Sequence, residues 1–474
     1  MSRCPYFFLV ALLGMLASLG CGGAANPQPQ PVGNYQVLAF SDLHFNPLYD
    51  ASLYHALVAA DPSQWAAIFQ SSKITAPSKW GSDPNYPLLA LALSAVKQRA
   101  AGSAVIVYTG DLVGHGLASM FYVLYYGKLD YPPPDQEAVA AMQAFIDKTV
   151  SFVTAQIRAS AGDIPVVFAV GNTDSYASTG PDQTFLTQNA ETFYTELAKG
   201  TVDQQGFLNS FTSGGYYSAE PLGPSWRVIS LNTNVFTPAA PGNPDAELAW
   251  LDYELGEAQA AGQSVWLLLH VPLGANTQLT ASNAAKAGTP GKVTESTTSM
   301  MLIPGYQTAL LQILAKYPEV VTLSLSAHTH MDEYRVISPD VVLEGVPGIS
   351  PIFGGNPAFK VFTITPNTLA ATDYMSFSCD LQSPVPQFNR LYTFSVAYSM
   401  QGPLDSSLIE LDALLVTSST QQALYTLYFA NGNTAVNPHT QARWNPINSV
   451  NWPIFACGIS NMGQQEYMDC VNSY

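Results

Sequence analysis

Charge is scarce in this chain, and positive charge is scarcest. Only 11% of the 474 residues are charged, with 17 Lys and Arg against 34 Asp and Glu, for a formal net charge of -17. No cluster of Lys or Arg interrupts the acidity, which excludes duplex nucleic-acid binding by phosphate neutralisation. Low charge does not mean disorder here. Hydrophobic residues make up 47% of the chain, beside 34 Gly, 34 Pro and 25 Tyr, a composition of folded, loop-rich extracytoplasmic proteins. Cysteine is also sparse. The five, Cys4, Cys21, Cys379, Cys457 and Cys470, have no metal-ligand spacing.

A long membrane-spanning run is missing too. Residues 6–19 are uncharged and almost wholly apolar behind Arg3, but too short for a comfortable span, so they read as a signal peptide. The small residues before Cys21 in LASLGCGG resemble a bacterial lipoprotein signal, with Ser18 where an aliphatic residue is preferred. The expectation is therefore a leader over 1–21 and export as a cell-envelope lipoprotein or secreted protein, with membrane association through an acylated Cys21. The Pro/Gln/Gly stretch of 22–35 reads as a flexible tether. In an exported chain Cys457 and Cys470 are close enough for a local disulfide, leaving Cys379 a buried thiol.

What is there instead is a series of apolar runs, each ending in a polar signature. YQVLAF leads to Asp42 and His44, AVIVYTG to Asp111, IPVVFAVG to Asn172, SVWLLL to His270, and VVTLSLSA to His328 and His330. WRVISLNTN is a sixth run. Helical stretches such as PLLALALSAVKQRAA and AELAWLDYELGEAQAAG alternate with them, which implies an α/β fold with ligands gathered beyond the strand ends. Residues 36–384 are expected to form a catalytic domain and 385–474 a small α-rich subdomain pinned by the cysteine pair. Residues 278–299, rich in Thr, Ala, Gly and Ser, read as a mobile loop.

Five of the seven histidines, His44, His115, His270, His328 and His330, stand at or just past such strand ends. Any one alone is ordinarily a capped or surface residue. Together with Asp42, Asp111 and Asn172 they make a two-cation site, which needs one bridging carboxylate with imidazole and oxygen ligands around it. Asp42 and His44, like His328 and His330, are two residues apart, so on extended chain each pair faces one way. Asp111 is the natural bridge, and the neutral Asn172 limits negative charge where an anionic substrate must bind.

This order of motifs, D-x-H, GD, GN, H and H-x-H, resembles the calcineurin-like metallophosphoesterases. TGDLVGHG, VPGISPIFGGNPAFKVF and FACGISNMGQQEYMDC are similar to segments of the acid-sphingomyelinase-like phosphodiesterases within them. The resemblance implies a metallophosphatase-type β-sandwich flanked by helices, four layers in αββα order. It implies a first metal on Asp42, His44, Asp111 and His330, and a second on Asp111, Asn172, His270 and His328. His-rich ligation and export favour zinc, with manganese or iron as alternatives. No saposin-like cysteine-rich segment precedes the catalytic part.

One residue departs from the wider family, where a histidine follows the GN asparagine and helps protonate the leaving group. Here Thr173 follows, then Asp174. His115 is expected to take over as general acid, after in-line attack on phosphorus by a hydroxide bridging the metals. Asp174 is expected to be a turn or cap residue, or to hold a ligand histidine. The Tyr-rich FYVLYYGKLDYPPPD is core or cleft wall. The expected substrate is a small phosphodiester or a phospholipid headgroup, and the protein a monomer. Alternatives are a phosphomonoesterase or polyphosphate hydrolase on the same metals, or a non-catalytic surface binding protein.

Overall fold

The computed structural model describes residues 33–238, 240–339, 341–434 and 446–474. The expected leader, most of the tether, Cys4, Cys21 and His439 lie outside the described residues.

Twelve strands are present among the described residues. The first nine are β1 (Tyr35–Phe40), β2 (Ser103–Tyr108), β3 (Val166–Phe168), β4 (Tyr217–Ala219), β5 (Trp226–Ser230), β6 (Ser264–Leu268), β7 (Val321–Ser326), β8 (Tyr334–Ser338) and β9 (Val341–Gly345). The last three are β10 (Ala358–Ile364), β11 (Ala371–Cys379) and β12 (Phe388–Thr393). They form two six-stranded sheets, ordered β12-β11-β10-β1-β2-β3 and β4-β5-β6-β7-β9-β8. Each is mixed. β1, β2 and β3 run parallel, with β10 to β12 antiparallel beside β1. In the other sheet β5, β6, β7 and β9 are parallel, with antiparallel β4 and β8 at the edges.

Period-two alternation decides how the layers stack. In the second sheet Val228, Trp266 and Leu268 join the core that also holds Val37, Ala39 and Val107 of the first, so these faces pack against each other. Their neighbours Ile229, Val265 and Leu267 face a second core with Leu251, Leu255, Leu310 and Leu314 from helices Pro244–Ala261 and Pro304–Lys316. On the other side of the sandwich lie helices Tyr86–Ala100 and Gln136–Ala161. The second is capped by Asp135, whose carboxylate accepts from Ala138 N at 2.9 Å, and it buries Met142, Phe145, Ile146, Val150, Val153 and Ile157 on one face. The layering is α-β-β-α, as the resemblance implied.

Three local readings need correction or refinement. Residues 278–299 are not simply a loop, because helix Thr277–Lys286 fills their first part. Asn276 caps it by accepting from Leu279 N at 3.0 Å, and it buries Thr277, Thr280, Ala281 and Ala284, whose small, weakly hydrophobic side chains hid the 3-4 spacing. The Tyr-rich stretch begins as helix Leu117–Tyr126, which buries Phe121 and Tyr122 in the core. Beyond residue 385 the chain first adds edge strand β12 and then turns helical, ending in Trp452–Ser460 and Gln464–Ser473 with Cys457 bonded to Cys470. Cys379 is a buried free thiol.

Candidate metal centre

The C-terminal ends of five parallel strands point to one place. Asp42 and His44 follow β1, Asp111 follows β2, Asn172 follows β3, His270 follows β6, and His328 and His330 follow β7. All seven come together, four from the first sheet and three from the second. His44 Nε2 lies 3.7 Å from Asp42 Oδ1, 3.2 Å from Asp111 Oδ2 and 3.1 Å from His330 Nε2, which is itself 3.6 Å from Asp42 Oδ1. A second group adjoins the first. His270 Nε2 is 3.2 Å from both Asp111 Oδ2 and Asn172 Oδ1, and His328 Nδ1 is 2.8 Å from Asn172 Oδ1. Asp111 Oδ2 is the atom shared between the groups.

The turns that deliver these residues are strained. Ten non-glycine residues have φ in the left-handed region among the described residues, and five of them are Asp42, His44, Asp111, His328 and His330. Such backbone persists where surrounding structure over-determines it, and it collects at functional sites. Glycine makes the close approach possible at two points. A Cβ on Gly171 would collide with the Asp111 carboxylate, and one on Gly110 would lie 2.8 Å from His270 Nδ1.

The residues present fit divalent cations. Asp42 is fully buried, yet neither carboxylate oxygen has a hydrogen-bond partner. A buried unpaired carboxylate is costly unless something positive meets it. The outer ring nitrogens are committed elsewhere: His44 Nδ1 is 3.2 Å from Val113 O, His270 Nδ1 is 2.8 Å from Thr109 O, and His330 Nδ1 is 3.0 Å from Ser350 O. Carbonyls only accept, so these Nδ1 atoms carry hydrogen, which leaves the inward Nε2 atoms as the ones able to offer a lone pair to a cation once deprotonated. Donors ~2.1 Å from a tetrahedral cation lie about 3.4 Å from each other, which matches the spacings here.

Protonation in the metal-free protein follows the same geometry. Burial opposes charge on His44 and His270, but the Asp111 carboxylate prevails, holding His44 well above the ordinary histidine value and raising His270 to about 9. Burial, reinforced by charge on His270, pushes His328 down to about 3, and burial with charge on His44 takes His330 to about 4. Asp111 is held well below the carboxylate range, since His270 and His44 outweigh its burial. Protons on His44 and His270 thus occupy the electrostatic place of cations, and metal uptake must displace them.

His115 belongs to the same cleft. Its ring stacks on His44 with centroids 4.0 Å apart, and it lines a cavity of ≈ 280 Å³ with Asp111, Asn172, His328 and His330. Its orientation is set by Asp83, a residue the sequence did not single out. Asp83 Oδ1 is 3.0 Å from His115 Nδ1, Asp83 Oδ2 accepts from His115 N at 2.7 Å, and Ser350 Oγ donates to Asp83 Oδ1 at 3.0 Å. Phe353 packs edge-on against His330 and His115. Ser350 and Phe353 come from the proline-glycine segment noted in the sequence, so that segment builds part of the site.

Asp174 is a turn residue, the first of the two roles expected of it, and not a holder of a ligand histidine. Its carboxylate accepts backbone N–H groups from Asp111 at 3.0 Å, Leu112 at 2.7 Å and Gly171 at 2.8 Å, lashing the GD and GN turns together. Burial and the nearby Asp111 raise its pKa to about 6. Thr173 is fully buried, donates its backbone N–H to Asp111 Oδ1 at 2.7 Å, and does not line the cavity. His55 is exposed on helix Tyr54–Ala59, away from the group.

A family profile, Calcineurin-like phosphoesterase, matches residues 35–332, which is more than half the chain and spans every residue of the cluster. The chain belongs to the calcineurin-like phosphoesterase family. It is a metal-dependent phosphoesterase. Among its relatives is mouse acid sphingomyelinase-like phosphodiesterase 3b, 22% identical over 98% of this chain and 94% of the relative. Mouse cyclic GMP-AMP phosphodiesterase SMPDL3A is 21% identical over 99% and 98%, and sphingomyelinase phosphodiesterase D of Dictyostelium discoideum is 24% identical over 73% and 76%. A dimetal phosphatase from Danio rerio aligns in structure at a TM-score of 0.40 and 13% identity, over 73% of this chain and 95% of that one.

Proposed function

We propose that this calcineurin-like phosphoesterase is an exported phosphodiester hydrolase working with two divalent cations. Asp42, His44, Asp111 and His330 would hold the first and Asp111, Asn172, His270 and His328 the second, with zinc favoured by the imidazole-rich set. The observation that carries this reading is the orphaned Asp42 carboxylate facing inward-directed imidazole nitrogens. Cations bound there would draw a proton from water near neutral pH and neutralise phosphate oxygens.

The protein's own groups do the rest. Carbonyls of Val113, Thr109 and Ser350 hold three imidazoles in the metal-ligating tautomer. Asp83 holds His115 Nδ1–H, so Nε2 is the atom that exchanges a proton with the cleft. His115 Nε2 then gives its proton to the departing alkoxide oxygen, the task that a histidine at position 173 would otherwise share. The diester reading over a monoester is supported by the relatives, which are named phosphodiesterases. Export is supported by the Cys457–Cys470 bond, since such bonds persist in oxidising compartments. Among the described residues no helix is long and apolar enough to cross a membrane.

The test is hydrolysis of bis(p-nitrophenyl) phosphate against the mono-ester, with metal content measured in parallel. Two metal ions per chain, chelator-sensitive turnover restored by a divalent ion, and preference for the diester are expected. Preference for the mono-ester would replace the diester reading by the phosphatase one.

A further inference from the structure

The wall of the cleft facing the cluster is helix Thr277–Lys286, the segment whose composition suggested a loop. Gln278, Ser282 and Lys286 recur every four residues, so they share a face, and all three line the cavity. The helix is fastened to the ligand loop, because Gln278 Nε2 donates to Thr329 O, between His328 and His330, at 3.1 Å. Lys286 is the one Lys or Arg lining that cavity, in a chain with twice as many acids as bases. Its ammonium forms no ion pair among the described residues. It lies two turns, about 12 Å of helix axis, beyond Gln278. Its charge is therefore offset from the cluster and sits further along the same groove.

A cation with no ion-pair partner among the described residues, on the wall of a catalytic cleft, favours an anionic group of the ligand and repels a cationic one. We propose that Lys286, with Ser282 and Gln278 beside it, forms a subsite for a second negatively charged group, so that the preferred substrate is a phosphodiester carrying an additional phosphate in its leaving or retained half. This rests on the diester reading above and narrows it: a choline-type headgroup would bring a quaternary ammonium towards a lysine. Ser282 supplies a hydroxyl and Gln278 an amide carbonyl to the same face, enough to orient a sugar or polar linker between the two charges.

The experiment compares the thymidine dinucleotide with and without a 5′-terminal phosphate, in wild type, Lys286→Arg and Lys286→Glu. The readout is the ratio of kcat/KM for the two substrates. The ratio should favour the phosphorylated dinucleotide in wild type, persist in Lys286→Arg, and fall about tenfold in Lys286→Glu, the worth of one charge-assisted hydrogen bond. A ratio unchanged by Lys286→Glu, or lost equally in Lys286→Arg, overturns the subsite. If wild type turns over neither dinucleotide, the diester reading is decided by bis(p-nitrophenyl) phosphate against its mono-ester, separately from the subsite. Equilibrium binding of the phosphorylated dinucleotide to wild type and Lys286→Glu then decides the subsite: tighter binding by wild type upholds it, and equal binding overturns it.

Discussion

Two groups of buried charge lie close together in this molecule, and they are built on opposite plans. Around Lys360 of β10, the ammonium contacts Asp332 Oδ1 at 2.8 Å and Glu344 Oε2 at 2.6 Å, and sits 4.2 Å over the Tyr374 ring. Tyr392 OH donates to Asp332 Oδ2 at 2.7 Å. That group joins strands of both sheets and leaves one carboxylate oxygen unpaired, Glu344 Oε1, on an acid whose pKa burial pushes to about 7. Around Asp42 both oxygens lack partners, imidazole nitrogens converge at short range, and the backbone turns left-handed at five positions. The Lys360 cluster pairs most of its valences internally, whereas the Asp42 cluster leaves them open, as a site suited to a ligand would.

Five measurements test the difference between the two groups. The largest effect falls on Asp111, which both cations would share: Asp111→Asn should cost at least ~10³-fold in kcat/KM, because several kcal/mol of charge stabilisation is lost, with metal content dropping by mass spectrometry. His115→Gln should reduce turnover of an alkyl diester about 10²-fold and of a nitrophenyl diester far less, since nitrophenolate leaves unaided. An equal loss on both would remove His115 from the role of acid. Asp83→Asn should lower alkyl-ester turnover about tenfold with both metals retained, and shift the pH profile of kcat.

The fourth measurement concerns stability. Lys360→Met strands two buried acids and should destabilise the fold by about 3 kcal/mol or more. Asp42→Asn should change the metal-free fold by less than about 1 kcal/mol while abolishing stabilisation by added metal. Denaturant titration with and without chelator separates the two, and a reversal would erase the distinction between the groups. The smallest effect is on pH. Buried Glu247 is raised from 4.5 to about 8 and His270 from 6.5 to about 9. Both bind more protons folded than unfolded, so their contribution is complete below the unfolded values and is lost as pH rises through about 8 and 9. The thermal midpoint of metal-free protein should therefore be a few degrees higher near pH 6 than near pH 9.

Much of the candidate metal site was legible because strand ends in a parallel sheet leave local marks: an apolar run and then a polar residue, with Gly between them before Asp111 and Asn172. Asp42, His44, Asp111, Asn172, His270, His328 and His330 each carry that mark, and backbone geometry at a strand end requires it locally. Asp83 carries none. It lies in a loop before helix Tyr86–Ala100, and only folding brings it beside His115, 32 residues on. The helix of Lys286 was hidden for a related reason, since its buried face is made of Thr and Ala against Trp452–Ser460, where a Cβ on Gly458 would strike Thr277.

The residue pattern alone thus determined the α/β class and which side chains could ligate, since periodicity and turn chemistry act over a few residues. Tertiary structure alone decided which charges were satisfied and which left open, how Asp174 ties two turns, and what walls the cleft. Those depend on contacts between segments far apart in the chain, which no local pattern encodes.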